Sequence, residues 1–143
     1  MTGWSWYFLD THVIYEPHKA KSGKADIKVV AHTQGVSASS LFVPVVTILK
    51  LETGILLIER RDALQGSVLR SWLENQVLPS FMGRILSVDV PVAQCCVKLH
   101  VPNPRSDRDA LIAAIGLVRR MAVVTRNIAD FQVTGVEILN PWN

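Results

Sequence analysis

Short apolar runs alternate with longer segments of helical periodicity along this chain. Trp4-Ser5-Trp6-Tyr7-Phe8-Leu9 is aromatic-rich and short, so it reads as a buried strand with Asp10 at its C-terminal end. Ile27, Val30 and Ala31 recur at helical spacing between Lys24 and His32, and Gly35 offers a stop. Leu41-Phe42-Val43 reads as a second strand closed by Pro44. Val45 to Glu59 is strongly apolar, with Lys50, Glu52 and Thr53 as polar punctuation, and predicts a helix buried over most of its girth. Asp62 to Val77 is amphipathic, with Leu64, Val68 and Trp72 on one row and Leu69, Leu73 and Val77 on another. Ile85 to Val88 reads as a third strand, ended by Asp89, and a short helix follows Pro91 to about His100. Two prolines make Val101 to Pro104 a loop. Ser106 to Arg120 is a helix with Ser106 as N-cap and Asp109 completing an approximate capping box. Ala122-Val123-Val124 is a fourth strand and Val136-Glu137-Ile138 a fifth. Alternating strands and helices predict an α/β fold, a central parallel sheet of four to five strands flanked by helices.

At 143 residues and 49% hydrophobic, the composition fits one folded unit over 1–143 and excludes disordered and collagen-like classes. The longest apolar run, Ala110 to Val118, is short of the roughly 18 residues that span a bilayer. The apolar N-terminus reaches Asp10 without a basic leader, so the expected location is the cytoplasm. Adjacent Cys95 and Cys96 lack the spacing of zinc sites and read as reduced core residues. Fifteen Lys and Arg against twelve Asp and Glu favour a polyanionic partner only weakly.

Four acids stand out by position. Ile48, Leu49, Ile55 and Leu56 flank Glu52 at helical spacing, so its charge needs a cation, such as Arg126, or a wet cleft. Asp10 follows a strand, where open α/β sheets bind ligands, or caps a turn. Asp130 lies just past the fourth strand, at a turn or helix cap. Asp109, with Asp107, sits in the first turn of a helix, where a carboxylate also favours the helix electrostatically. Gathered into one cleft, four acids would require divalent cations, and all-oxygen ligands suit Mg²⁺ or Mn²⁺. No phosphate loop, dinucleotide fingerprint or nucleophile elbow occurs, and His12, His18, His32 and His100 have no zinc spacing. An aspartate-nucleophile phosphatase would place a second Asp two residues after Asp10, where this chain has His12.

Phe8-Leu9-Asp10-Thr11, Leu51-Glu52-Thr53-Gly54, Asp109 to Ala114, and Thr125-Arg126-Asn127 with Asp130-Phe131 together resemble the PIN-domain ribonucleases. The resemblance is to the VapC and FitB-type toxins of bacterial toxin–antitoxin pairs, and Thr134-Gly135-Val136 with Asn140-Pro141-Trp142 extends it over nearly the whole chain. It implies that Asp10, Glu52, Asp109 and Asp130 are the catalytic, metal-holding acids, and that Thr11, His12, Asp107, Thr125 and Asn127 line the cleft. The family usually has Asn at the position of His12, and the segment Pro102 to Arg105 is short for it.

The implied activity is an Mg²⁺- or Mn²⁺-dependent endoribonuclease whose metal-bound water attacks RNA, transfer RNA being one candidate. Lys19, Lys21, Lys24, Lys28, Arg105, Arg108 and Arg126 are the candidate phosphate contacts. A small antitoxin is the implied partner, with homodimers or mixed assemblies, and apolar ridges between Val45 and Val77 are candidate surface for it. A PIN fold that has lost catalysis and serves as a binding or assembly module is the alternative, prompted by His12.

Overall fold

The computed structural model describes residues 7–9, 40–101, 106–125 and 127–140. The expected helix over Lys24 to His32, most of the loop at Val101 to Pro104, and Asp10, Thr11, His12, Arg105 and Arg126 lie outside them, as do the four lysines proposed for RNA.

Strand β1 (Tyr7–Leu9) is the centre of the sheet. It pairs in parallel with β2 (Leu41–Pro44) on one side and β4 (Ala122–Val124) on the other. Outside these run β3 (Ile85–Leu86) and β5 (Ile138–Leu139), giving the order β3-β2-β1-β4-β5, all parallel. Side chains alternate between the faces of a strand, so Phe8 and Val123 enter one core while Leu9 and Val124 enter the other. Both central strands are therefore apolar at every position, as a sheet covered on both faces requires.

One face is covered by α1 (Val45–Arg61) and α2 (Ala63–Trp72), whose Leu51, Ile55 and Leu69, with Leu73 just beyond them, pack on Leu9, Leu41, Val43 and Val124. Asp62 caps α2 by accepting a hydrogen bond from the Gln65 N–H at 3.1 Å. The corner between the two helices is tight: a Cβ on Gly66 would lie 2.6 Å from Glu59 Cα. After α2 the chain widens into a π-helical turn, Leu73–Val77, before α3 (Leu78–Ser80). Pro79 accounts for the widening, because its ring crowds the carbonyl four residues earlier, that of Asn75.

The other face is covered by α4 (Val90–His100) and α5 (Asp107–Arg119). Asp89 caps α4 and Ser106 caps α5, each accepting from a backbone N–H three residues on. Ala110 and Ile112 to Ile115 of α5 are fully buried. Gly116 lets α5 approach the sheet, since a Cβ there would meet Val136 Cγ2 at 2.5 Å and Phe8 Cε1 at 3.0 Å. A short α6 (Ile128–Gln132) follows β4 and buries Phe131.

Three expectations change. Only Val46, Thr47, Leu51 and Ile55 of α1 are buried, while Leu49, Leu56 and Leu57 are about half exposed, so the helix has one covered side and one open apolar side. The row Leu69, Leu73, Val77 is core, but Leu64 is 78% exposed and Val68 is exposed beside it. The fifth strand is Ile138–Leu139, starting two residues later than expected. Among the described residues, no helix is long and apolar enough to cross a membrane.

Candidate functional site

The carboxyl ends of β1 and β4 lie side by side, Leu9 opposite Val124. Helix α1 is fixed to that edge by buried Thr47, whose hydroxyl donates to the Leu9 carbonyl at 3.1 Å. Beyond β4, buried Thr125 accepts from the Asn127 N–H at 3.0 Å through its Oγ1. The Asn127 amide in turn donates to Asp130, which opens α6 on an exposed surface. Thr125, Asn127 and Asp130 thus form one hydrogen-bonded turn beyond the carboxyl end of β4.

Lys50 is one turn beyond Thr47 on the same side of α1, because residues three apart on a helix share a face. Its Nζ lies 3.3 Å from Asp109 Oδ1 on α5, and both side chains are about one-fifth exposed. The capping expectation for Asp109 holds for its backbone, whose N–H donates to Ser106 Oγ at 3.5 Å. Its carboxylate turns instead to the lysine.

Glu52 is two residues from Lys50 and so projects about 200° away around the helix. It faces α2, where Glu52 Oε2 accepts from Arg70 Nη1 at 2.6 Å. Glu59 Oε1 accepts from Arg70 Nη2 at 3.3 Å, and Glu74 Oε1 is 3.9 Å from Nη1. Its hydrogen bonds to the carboxylates of Glu52 and then Glu59 hold the Arg70 guanidinium charged far above its ordinary range. The need for a cation at Glu52 was legible in its apolar flanks; the cation is Arg70. Glu52 and Asp109 are therefore each neutralised by a different basic residue, on different sides of α1.

Asp107 is almost fully exposed, with Oδ1 3.3 Å from His100 Nε2. Arg108 is exposed at the start of α5. Cys96 is a core thiol whose pKa is pushed up by burial and by neighbouring Asp107 and Cys95. Lys50 was missed in the sequence because it reads as punctuation in a helix. The available signal was its setting in Ile48-Leu49-Lys50-Leu51, where a lysine needs a partner as much as Glu52 does.

The plasmid stability protein StbB of Pseudomonas syringae pv. tomato is 30% identical over 142 residues, covering 94% of this chain and 96% of that protein. The VapC ribonuclease Y4jK of Sinorhizobium fredii is also 30% identical, with the same coverage. The chain belongs to the PIN-domain VapC/FitB-type toxin family. The solved FitAcB structure of Neisseria gonorrhoeae, at 29% identity, superposes with a TM-score of 0.79 over 96% of this chain and 99% of that one. No family model matches.

Members of such a ribonuclease family imply a divalent cation, and the described side chains test whether it fits. Among the described residues, no group of three His, Cys, Asp or Glu side chains could hold a metal ion. Asp109 already carries an ammonium, Glu52 a guanidinium, and Asp130 an amide. Two positive charges about 4 Å apart repel by roughly 4 kcal/mol at an effective dielectric of about 20, and a dication doubles that. With Lys50 in place, the described acids do not fit a divalent ion.

Proposed function

We propose that this chain is the toxin-type subunit of a toxin–antitoxin pair, directed at RNA, in which metal-dependent RNA cleavage is impaired and partner binding is retained. The observation that carries the reading is the Lys50–Asp109 ion pair, which falls on an acid that the family resemblance makes a metal-holding residue. A fully active Mg²⁺-dependent endoribonuclease would need Asp109 free for the ion, and here a lysine neutralises it.

The antitoxin half rests on two supports. The solved FitAcB and FitAB structures are each 29% identical to this chain over 96% of its length, and the toxin FitB of Neisseria gonorrhoeae is a relative. The open side of α1 and α2 supplies surface: Leu49, Leu56 and Leu57 on the first, Leu64 and Val68 on the second, with a groove lined by Gly54, Leu57, Ile58, Arg60 and Arg61. Exposed apolar side chains gathered on one helix face are a feature of protein-partner surfaces. RNA recognition by Arg108, and by the basic residues outside the described segments, would show as affinity that falls steeply with salt.

The test is expression of the chain together with the product of a small reading frame adjoining its gene, followed by light scattering on the purified product. A stable mixed complex is expected; two separately eluting proteins would overturn the antitoxin half. Sequencing of RNA ends after brief expression of the chain alone tests the other half. Few new ends are expected, and abundant site-specific cleavage that disappears in Asp109→Asn would overturn the impairment.

A further inference from the structure

We propose that Lys50 is the resident counter-ion of the cleft, its ammonium standing beside Asp109 where a divalent cation would have to sit, so that removing this one charge opens a metal site. The inference rests on the reading of the cleft as a PIN-family site and names what blocks it. It is a disagreement between this chain's residues and the metal its family implies.

Three features hold the lysine there. Thr47 ties α1 to the Leu9 carbonyl and sets the roll of the helix about its axis. Leu51 and Ile55, buried against β1, β2 and β4, fix the same roll through packing. Arg70 grips Glu52 and Glu59 from α2, on the side away from Asp109. Exchanging Glu52 for Lys50 at Asp109 would require turning α1 by nearly half a revolution, which would expose Leu51 and Ile55 and break both attachments. The partner carboxylate is equally placed, because α5 is locked by Ala110 and Ile112 to Ile115 in the core. A lysine is a compact charge on a flexible stem, so it can neutralise Asp109 without supplying an oxygen ligand.

The experiment is a Mn²⁺ titration of the full chain, followed by electron paramagnetic resonance of free Mn²⁺ and by thermal unfolding. Wild type, Lys50→Met and Lys50→Glu are compared, with Lys98→Glu as a control that adds the same charge change on the exposed face of α4. Lys50→Met is expected to bind Mn²⁺ about tenfold more tightly than wild type, and Lys50→Glu more tightly still. Mn²⁺ should raise the unfolding temperature of both variants more than that of wild type or the control. Equal affinity of folded wild type and folded Lys50→Met, or a gain as large in Lys98→Glu, would overturn the inference. Submillimolar Mn²⁺ binding by wild type would overturn it even if neither variant folded. Because the titration needs neither RNA nor antitoxin, a gain of metal affinity without any antitoxin complex would fail the functional reading alone. An antitoxin complex with no gain would fail this inference alone.

Discussion

Two sides of one helix, two residues apart, treat a carboxylate in opposite ways. Toward α2, Glu52 joins Glu59 and Glu74 around a single guanidinium, with solvent access and an excess of negative charge. Toward α5, Asp109 meets Lys50 at 3.3 Å, with both side chains about one-fifth exposed. The first arrangement is a surface network whose loss the fold can tolerate. The second pairs a described acid with a cation of the chain itself, at a residue to which the family resemblance assigns chemistry. Position on the helix decides which acid is structural and which is poised for ligand, more than the acid's own sequence neighbourhood does.

The roll of α1 creates this contrast, so the largest effect is expected from unpacking it. Leu51→Ala removes a core side chain facing the sheet and should cost about 2–5 kcal/mol in urea unfolding. A loss below about 1 kcal/mol would mean that packing does not fix the roll. Gly66→Ala forces a Cβ against the Glu59 backbone at the α1–α2 corner and should cost about 1–3 kcal/mol by the same measurement. Thr47→Val keeps shape but strips the hydroxyl from the Leu9 carbonyl, with an expected loss of about 1 kcal/mol. Arg70→Met sharpens the comparison from the other side: its partly exposed pairs should be worth at most about 1 kcal/mol. That loss should shift with added salt, and Mn²⁺ affinity should stay unchanged, because Glu52 does not share the ion pair at Asp109.

Much of this architecture is legible before any coordinates. Strands β1, β2 and β4 fall where short apolar runs end at Asp10, Pro44 and Thr125, and Ser106 marks a helix start as its N-cap. The open side of α1 was not legible, since Leu49 and Leu56 have the periodicity of core residues whether core or partner covers them. The π-helical turn was also hidden, although Pro79 carried its cause. At the site, the apolar flanks of Glu52 announced a carboxylate in need of a cation but not the direction it would face. Direction follows from tertiary roll, which a single helix cannot specify. The same ambiguity concealed Lys50, whose partner is 59 residues away in the chain.

The most direct test of the central claim is the rate of RNA cleavage in Mn²⁺ by wild type, Lys50→Glu, and Lys50→Glu combined with Asp109→Asn. The account predicts slow cleavage by wild type, a gain of at least about tenfold in Lys50→Glu, and loss of that gain when Asp109 is also changed. Cleavage by wild type as fast as by Lys50→Glu would contradict it.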